Sequence, residues 1–157
     1  MEIFVDADSC PVKDETYRVA RRYGLAVRVV AARWMRVPGD PHVSLDVVEE
    51  TGGLDAVDDW VVGRVKPGDI VVTDDILLAS RCLDRGASAV TPRGREFTAD
   101  SIGEAVATRE LMVNLRESGA VTGGPAPFTP ADRSRFLQRL DEIVNRRRKE
   151  RISPPTP

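Results

Sequence analysis

Six aspartates of this chain stand in adjacent or alternate pairs: Asp6 with Asp8, Asp58 with Asp59, and Asp74 with Asp75. Carboxylates gathered in one cleft repel one another, and a divalent cation relieves that repulsion. Mg2+ and Mn2+ prefer carboxylate and water oxygens and take few protein ligands. An ion held this way polarises a phosphate and acidifies an attacking water. Metal-assisted phosphoester hydrolysis, with Mg2+ or Mn2+ as cofactor, is therefore the chemistry these residues could do. Other chemistries are poorly supplied. His42 is the single histidine and sits in a proline-flanked loop, so no Ser-His-Asp triad can be built. Cys10 and Cys82 form no C-x-x-C pair, and a zinc site needs three or four Cys or His ligands.

The elements that must position these acids are legible from the pattern. Glu2 to Val5 reads as a short buried strand ending at Asp6. A helix follows from about Val12 to Tyr23, with Ser9 as a candidate cap and Gly24 as its stop. Strands are expected at Leu25 to Ala31 and Val43 to Val48, with a loop from Arg33 to Pro41 between them. Gly52-Gly53 marks a turn, and Leu54 to Val65 has helical spacing. Asp69 to Thr73 is continuously apolar, as in a parallel strand covered on both faces. A helix from Asp75 to Asp84, a strand from Ala87 to Thr91, a turn at Pro92 to Arg95 and a long helix from Asp100 to Glu117 follow. Ser118 to Pro130 is a loop, and a last helix runs from Thr129 or Pro130 to about Lys149.

Strands alternating with helices predict an α/β fold: a three-layer, Rossmann-like domain with a mostly parallel sheet and a C-terminal helix. One domain is expected over residues 1–150, with a disordered tail at 151–157. In such sheets the ligand crevice lies beyond the carboxyl ends of the strands. Asp6 and Asp8 follow the first strand, and Asp74 and Asp75 follow the strand IVVT. Asp58 and Asp59 lie on the helix feeding that strand, with Asp55 one turn earlier. The competing reading makes Asp6, Asp8 and Asp74 mere helix caps. Three pairs, two of them at strand ends, favour the acidic site.

Bulk composition sets few limits. The 157 residues are 41% hydrophobic and carry a formal net charge of -2, which does not by itself advertise nucleic acid. The opening MEIFVDADSC lacks the basic and apolar regions of a secretory signal, and no apolar run approaches a membrane span. A cytoplasmic protein with no membrane partner is expected.

The segments Asp6-Ala7-Asp8-Ser9-Cys10-Pro11-Val12, Asp55-Ala56-Val57-Asp58-Asp59-Trp60, Gly68 to Ile76 (GDIVVTDDI) and Gly123 to Phe128 (GGPAPF) occur in order along the chain. Together they resemble the bacterial UPF0178 family, also called DUF188 or YaiI/YqxD, which is grouped with PIN-like and NYN-type nucleases. The resemblance covers nearly the whole chain. It implies a PIN-like domain with a divalent-metal ribonuclease site. Carried over, the implied catalytic acids are Asp6, Asp8, Asp58 and Asp75. The implied metal ligands are Asp6, Asp58 and Asp75, with Asp59 and Asp74 as lesser candidates. Thr73 is the hydroxyl partner of Asp75. Ser9, Leu77 and Ser101 depart from the expected alanine, proline and asparagine, and none removes a candidate ligand.

Candidate contacts to an RNA partner are Arg93 and Arg95 in the turn after a strand, and Arg36 near Trp34. The last helix is rich in arginine and could form an electrostatic footprint, or simply a solvated face. Trp60 is expected in the core beside the acids, and Cys10 to be buried and inert. Two rivals remain. One is a non-catalytic RNA-binding module of the same fold. The other is a haloacid-dehalogenase-type phosphatase, with Asp6 as nucleophile, Asp8 as acid/base and Lys66 as its lysine. The second leaves no room for a flap after Pro11 and lacks a Ser/Thr-ended strand between Asp8 and Lys66.

Overall fold

The structure, a computed structural model, describes residues 1–8, 10–49, 55–120, 123–124 and 126–152. Its strands are β1 (Glu2–Asp6), β2 (Ala26–Ala31), β3 (Val43–Val47), β4 (Ile70–Val72), β5 (Ser88–Val90) and β6 (Glu96–Phe97). Its helices are α1 (Lys13–Tyr23), α2 (Ala56–Arg64), α3 (Ile76–Asp84), α4 (Ala99–Glu117) and α5 (Pro130–Ile152). The strands form one sheet in the order β3-β2-β1-β4-β5-β6. All neighbours pair in parallel except β5 and β6, which are antiparallel. The expected α/β, Rossmann-like three-layer architecture is the one observed.

The continuous apolar runs have a simple cause: the central strands are covered on both faces. Ile3, Val5, Ile70, Val72 and Val90 face α1 and α5, packing with Tyr17, Val19, Phe136 and Leu140. Phe4 and Val71 point the other way, onto Val57 and Val61 of α2 and Leu78 and Cys82 of α3. α4 lies outside this core. It packs on α3 near the β5–β6 edge and buries only Ala105. Gly24, at φ 65, closes α1 in the left-handed conformation that its position predicts.

One element and one helix end depart from the pattern reading by more than a residue or two. β6 escapes that reading, because two residues are too few to show a period of two. α5 continues through Ile152, past the expected end at Lys149, so residues 151 and 152 are helical and not part of a tail. Ser9, Gly52-Gly53, Leu54, part of the loop before α5 and residues 153–157 lie outside the described residues. Among the described residues, no helix is long and apolar enough to cross a membrane.

The amino end of α5 is fixed by a reciprocal cap. Thr129 Oγ1 accepts from the Asp132 N–H at 3.2 Å, and Asp132 Oδ2 accepts from the Thr129 N–H at 2.9 Å. Pro130 occupies the first helical position, where its missing N–H costs nothing. Asp132 is buried and also receives Arg93 at 3.1 Å and Arg135. These contacts hold its carboxyl below the usual range, with the Thr129 N–H bond the largest cause.

Candidate functional site

β1 and β4 are adjacent and parallel, with Val5 opposite Val72. The connection leaving β1 goes to β2 on one side, while β4 lies on the other. This reversal is the switch point at which a parallel sheet opens a crevice beyond its carboxyl ends. Asp6 ends β1, and Thr73, Asp74 and Asp75 follow β4. Asp6, Asp8, Cys10, Asp74, Asp75 and Pro92 line a cavity of about 290 Å3 there.

Thr73 ties the two strand ends together. Its buried hydroxyl donates to Asp6 Oδ2 at 2.9 Å and accepts the Asp75 N–H at 3.0 Å. Asp75 caps α3: Oδ1 accepts the N–H groups of Leu77 at 2.9 Å and Leu78 at 3.2 Å. The capping alternative named Asp74 for this helix, but the cap is its neighbour Asp75, which uses one oxygen for it. It does not apply to Asp6 or Asp8, because α1 begins after Val12 without a side-chain cap. Asp8 instead accepts the Ala32 N–H through Oδ2 at 3.4 Å, tying the loop after β1 to the end of β2.

Asp58 enters from the first turn of α2. Burial raises its carboxyl from 3.8 to about 6, and the charges of Asp75, Asp6 and Asp55 add to the rise. Asp6 rises from 3.8 to about 6 for the same leading reason, burial. The Thr73 hydrogen bond opposes that rise, while Asp8, Asp75 and Asp74 reinforce it. Asp58 thus senses the charges of Asp6 and Asp75, and Asp6 that of Asp75, across the crevice. Asp59 points elsewhere and pairs with Arg81 of α3 at 2.8 Å. Asp74 is exposed at the rim. The thiols of Cys10 and Cys82 are buried, and burial pushes both up, away from reactive thiolate.

The arginines divide into occupied and available. Arg93 pairs with Asp132 and donates to the Ala126 carbonyl, so it ties Ala126 to α5. Arg133, Arg135, Arg139, Arg146 and Arg147 of α5 all make ion pairs, with Glu15, Asp132, Glu142, Glu96 and Glu150. The exposed pairs among these stabilise by at most about 1 kcal/mol each, and all of them keep the guanidinium groups engaged. Arg95 stands over Phe97 at 5.0 Å. Arg36 is exposed, and Trp34 is 76% exposed in the loop leaving the carboxyl end of β2. Trp34 is therefore not core. Trp60 is partly buried as expected, with Arg64 over its ring at 3.9 Å and Arg28 at 5.2 Å.

Topology weighs against the phosphatase reading. Lys66 precedes β4 and lies at the amino edge of the sheet, opposite the edge that carries Asp6. Its backbone N–H donates to Asp69 at 2.8 Å, closing the turn into β4.

A family model described as "Uncharacterized BCR, YaiI/YqxD family" matches residues 4–146. A UPF0178 protein of Rhodopseudomonas palustris strain HaA2 is 54% identical over 153 residues, covering 98% of this chain and 92% of its own. A UPF0178 protein of Bradyrhizobium diazoefficiens is 52% identical over 150 residues, covering 96% and 89%. One from Paramagnetospirillum magneticum is 54% identical over 144 residues, covering 92% and 94%. No solved structure matches the chain.

Proposed function

The chain belongs to the UPF0178 (YaiI/YqxD) family, and from that premise we propose that it is a PIN-like, divalent-metal-dependent nuclease that hydrolyses RNA phosphodiesters. The observation that carries this reading is the set of mutually repelling carboxylates at the β1–β4 switch point. Burying like charges together is costly, and a hard cation offsets the cost. Among the described residues, no three acids are drawn into a ready-made cage. Asp6, Asp58 and Asp75 would hold the ion, with Asp74 at the rim and Asp59 the least favoured because Arg81 engages it.

A bound ion would supply Lewis-acid polarisation of the phosphate and a more acidic water. The chain's own groups do the rest. Thr73 fixes the Asp6 carboxylate and the start of the Asp75 cap in one hydrogen-bonded unit. Asp8 accepts the Ala32 N–H through Oδ2, and in this reading Oδ1 would accept the proton. Trp34 offers an exposed ring two residues after Ala32, whose N–H bonds to Asp8, with exposed Arg33 and Arg36 beside it in sequence. An unpaired base can stack there, which favours single-stranded RNA. Trp34→Ala is expected to weaken RNA binding by about tenfold, since stacking contributes about 1–3 kcal/mol per base; fluorescence anisotropy with a labelled oligonucleotide measures this.

The reaction itself is tested by incubating the protein with labelled single-stranded RNA and with p-nitrophenyl phosphate, with Mn2+ or with EDTA. RNA cut only with Mn2+ supports the proposal. RNA bound but uncut would favour the binding module, and release of p-nitrophenol alone would favour a phosphomonoesterase.

A further inference from the structure

A second groove of about 580 Å3 runs between α4 and the rim of the sheet, with Arg95, Thr108, Arg109, Met112 and Arg116 among its lining residues. Its wall comes close in sequence to that of the acidic cavity at two points. Ile76, on its wall, is the residue after Asp75, and Arg95 shares a turn with Pro92 of the acidic cavity. Among the described residues, Arg95, Arg109 and Arg116 make no ion pair, unlike Arg93 and the paired arginines of α5. Among the described residues, Glu104 is the one acid on the groove wall.

α4 is an unusual helix to keep for stability alone. It buries only Ala105, while its carboxyl half presents exposed Leu111 and half-buried Met112. Its amino end is secured by a capping box between Thr98 and Ser101. Arg109 and Arg116 are two turns apart on the helix, roughly 10 Å along its axis. That distance exceeds the reach of one phosphate, so the two arginines can meet different phosphates of one strand. Apolar Ile76, Met112 and Val113 beside them offer surface to the bases.

We propose that the α4 groove binds the backbone of a single-stranded nucleic acid and leads it into the acidic crevice. The strand's destination rests on the nuclease reading above, whereas the groove's affinity does not. The test is therefore metal-free binding. Anisotropy of a labelled single-stranded RNA is measured in EDTA over a range of salt for the wild type, R109Q/R116Q and K66Q/R85Q. The last pair removes the same charge from exposed residues at the opposite edge of the sheet.

R109Q/R116Q should bind about tenfold or more weakly, and its slope of log affinity against log salt should shrink by about 1.4, for two lost phosphate contacts on a single strand. K66Q/R85Q should match the wild type in both. Equal losses in the two variants, or an unchanged R109Q/R116Q, would overturn the groove. The two readings fail differently. If the nuclease reading alone is wrong, no RNA is cut with Mn2+ yet the R109Q/R116Q defect persists. If the groove alone is wrong, cutting persists and the defect is absent.

Discussion

Replacing Asp6 with asparagine is expected to lower Mn2+-dependent RNA cleavage by more than about 100-fold, beyond the loss seen when a residue merely supporting a metal ligand is changed. The substitution keeps the side chain's shape, and its amide oxygen can still accept the Thr73 hydroxyl that now bonds to Asp6 at 2.9 Å. Only the charge goes. Gel analysis of labelled RNA measures the rate, and circular dichroism checks the fold. Cleavage at the wild-type rate would remove Asp6 from the chemistry.

The same variant makes a prediction about stability that needs no metal. Burial raises Asp6 from 3.8 to about 6 in the folded chain. Between those values the folded protein holds a proton that the unfolded chain has released. Stability of the metal-free wild type therefore falls as pH rises from about 4 to about 6 and stays reduced above that. The amide of Asp6→Asn cannot ionise, so the variant lacks this loss. At pH 7 without metal it should be the more stable protein, by at most about 3 kcal/mol, and the advantage should vanish near pH 4. Urea unfolding at the two pH values reads the difference directly. A variant less stable than wild type at pH 7 would contradict the picture of carboxylates held together against their repulsion.

The second large effect lies in the turn that carries Arg93 and Arg95. Gly94 has φ 88, and a Cβ built there would lie 2.7 Å from the Arg135 backbone carbon and 2.9 Å from the Phe136 nitrogen. Those are backbone atoms of α5, anchored by fully buried Phe136, so they cannot swing aside. Gly94→Ala combines a left-handed backbone cost of about 1–2 kcal/mol with an overpacking cost of about 1–3 kcal/mol. A destabilisation of about 2–5 kcal/mol is expected in chemical denaturation. A loss below about 0.5 kcal/mol, the range of ordinary surface changes, would mean that the turn and α5 are not in contact. RNA binding should weaken as well, because the turn places Arg95 in the α4 groove.

The candidate site was legible in the sequence because its carboxylates sit at strand ends. The run IVVT announces a strand covered on both faces, and its termination by Asp74-Asp75 marks the edge where ligands bind. The same holds for IFVD. Partner choice within the site was less legible. Asp58 and Asp59 are adjacent, yet helix geometry turns one toward Asp6 and the other toward Arg81. Arg93 and Arg95 flank one glycine, yet only Arg93 is drawn to buried Asp132. The arginines of α5 dominate the composition of the last helix, but their acidic partners come partly from Glu15 and Glu96, far away in sequence. Arg109 and Arg116 carry no local signal. Their significance comes from α4 standing beside the rim, which only the tertiary arrangement sets.

The central claim, that the carboxylates at the β1–β4 switch point hold a divalent cation, is tested most directly by calorimetric titration of Mn2+ into the wild type and into D6N/D75N. Asparagine in place of Asp75 can still cap α3 through its amide oxygen, so the double variant should fold. Saturable binding by the wild type, lost in the double variant, is the predicted result. Equal binding by both proteins, or no binding by the wild type, would contradict the account.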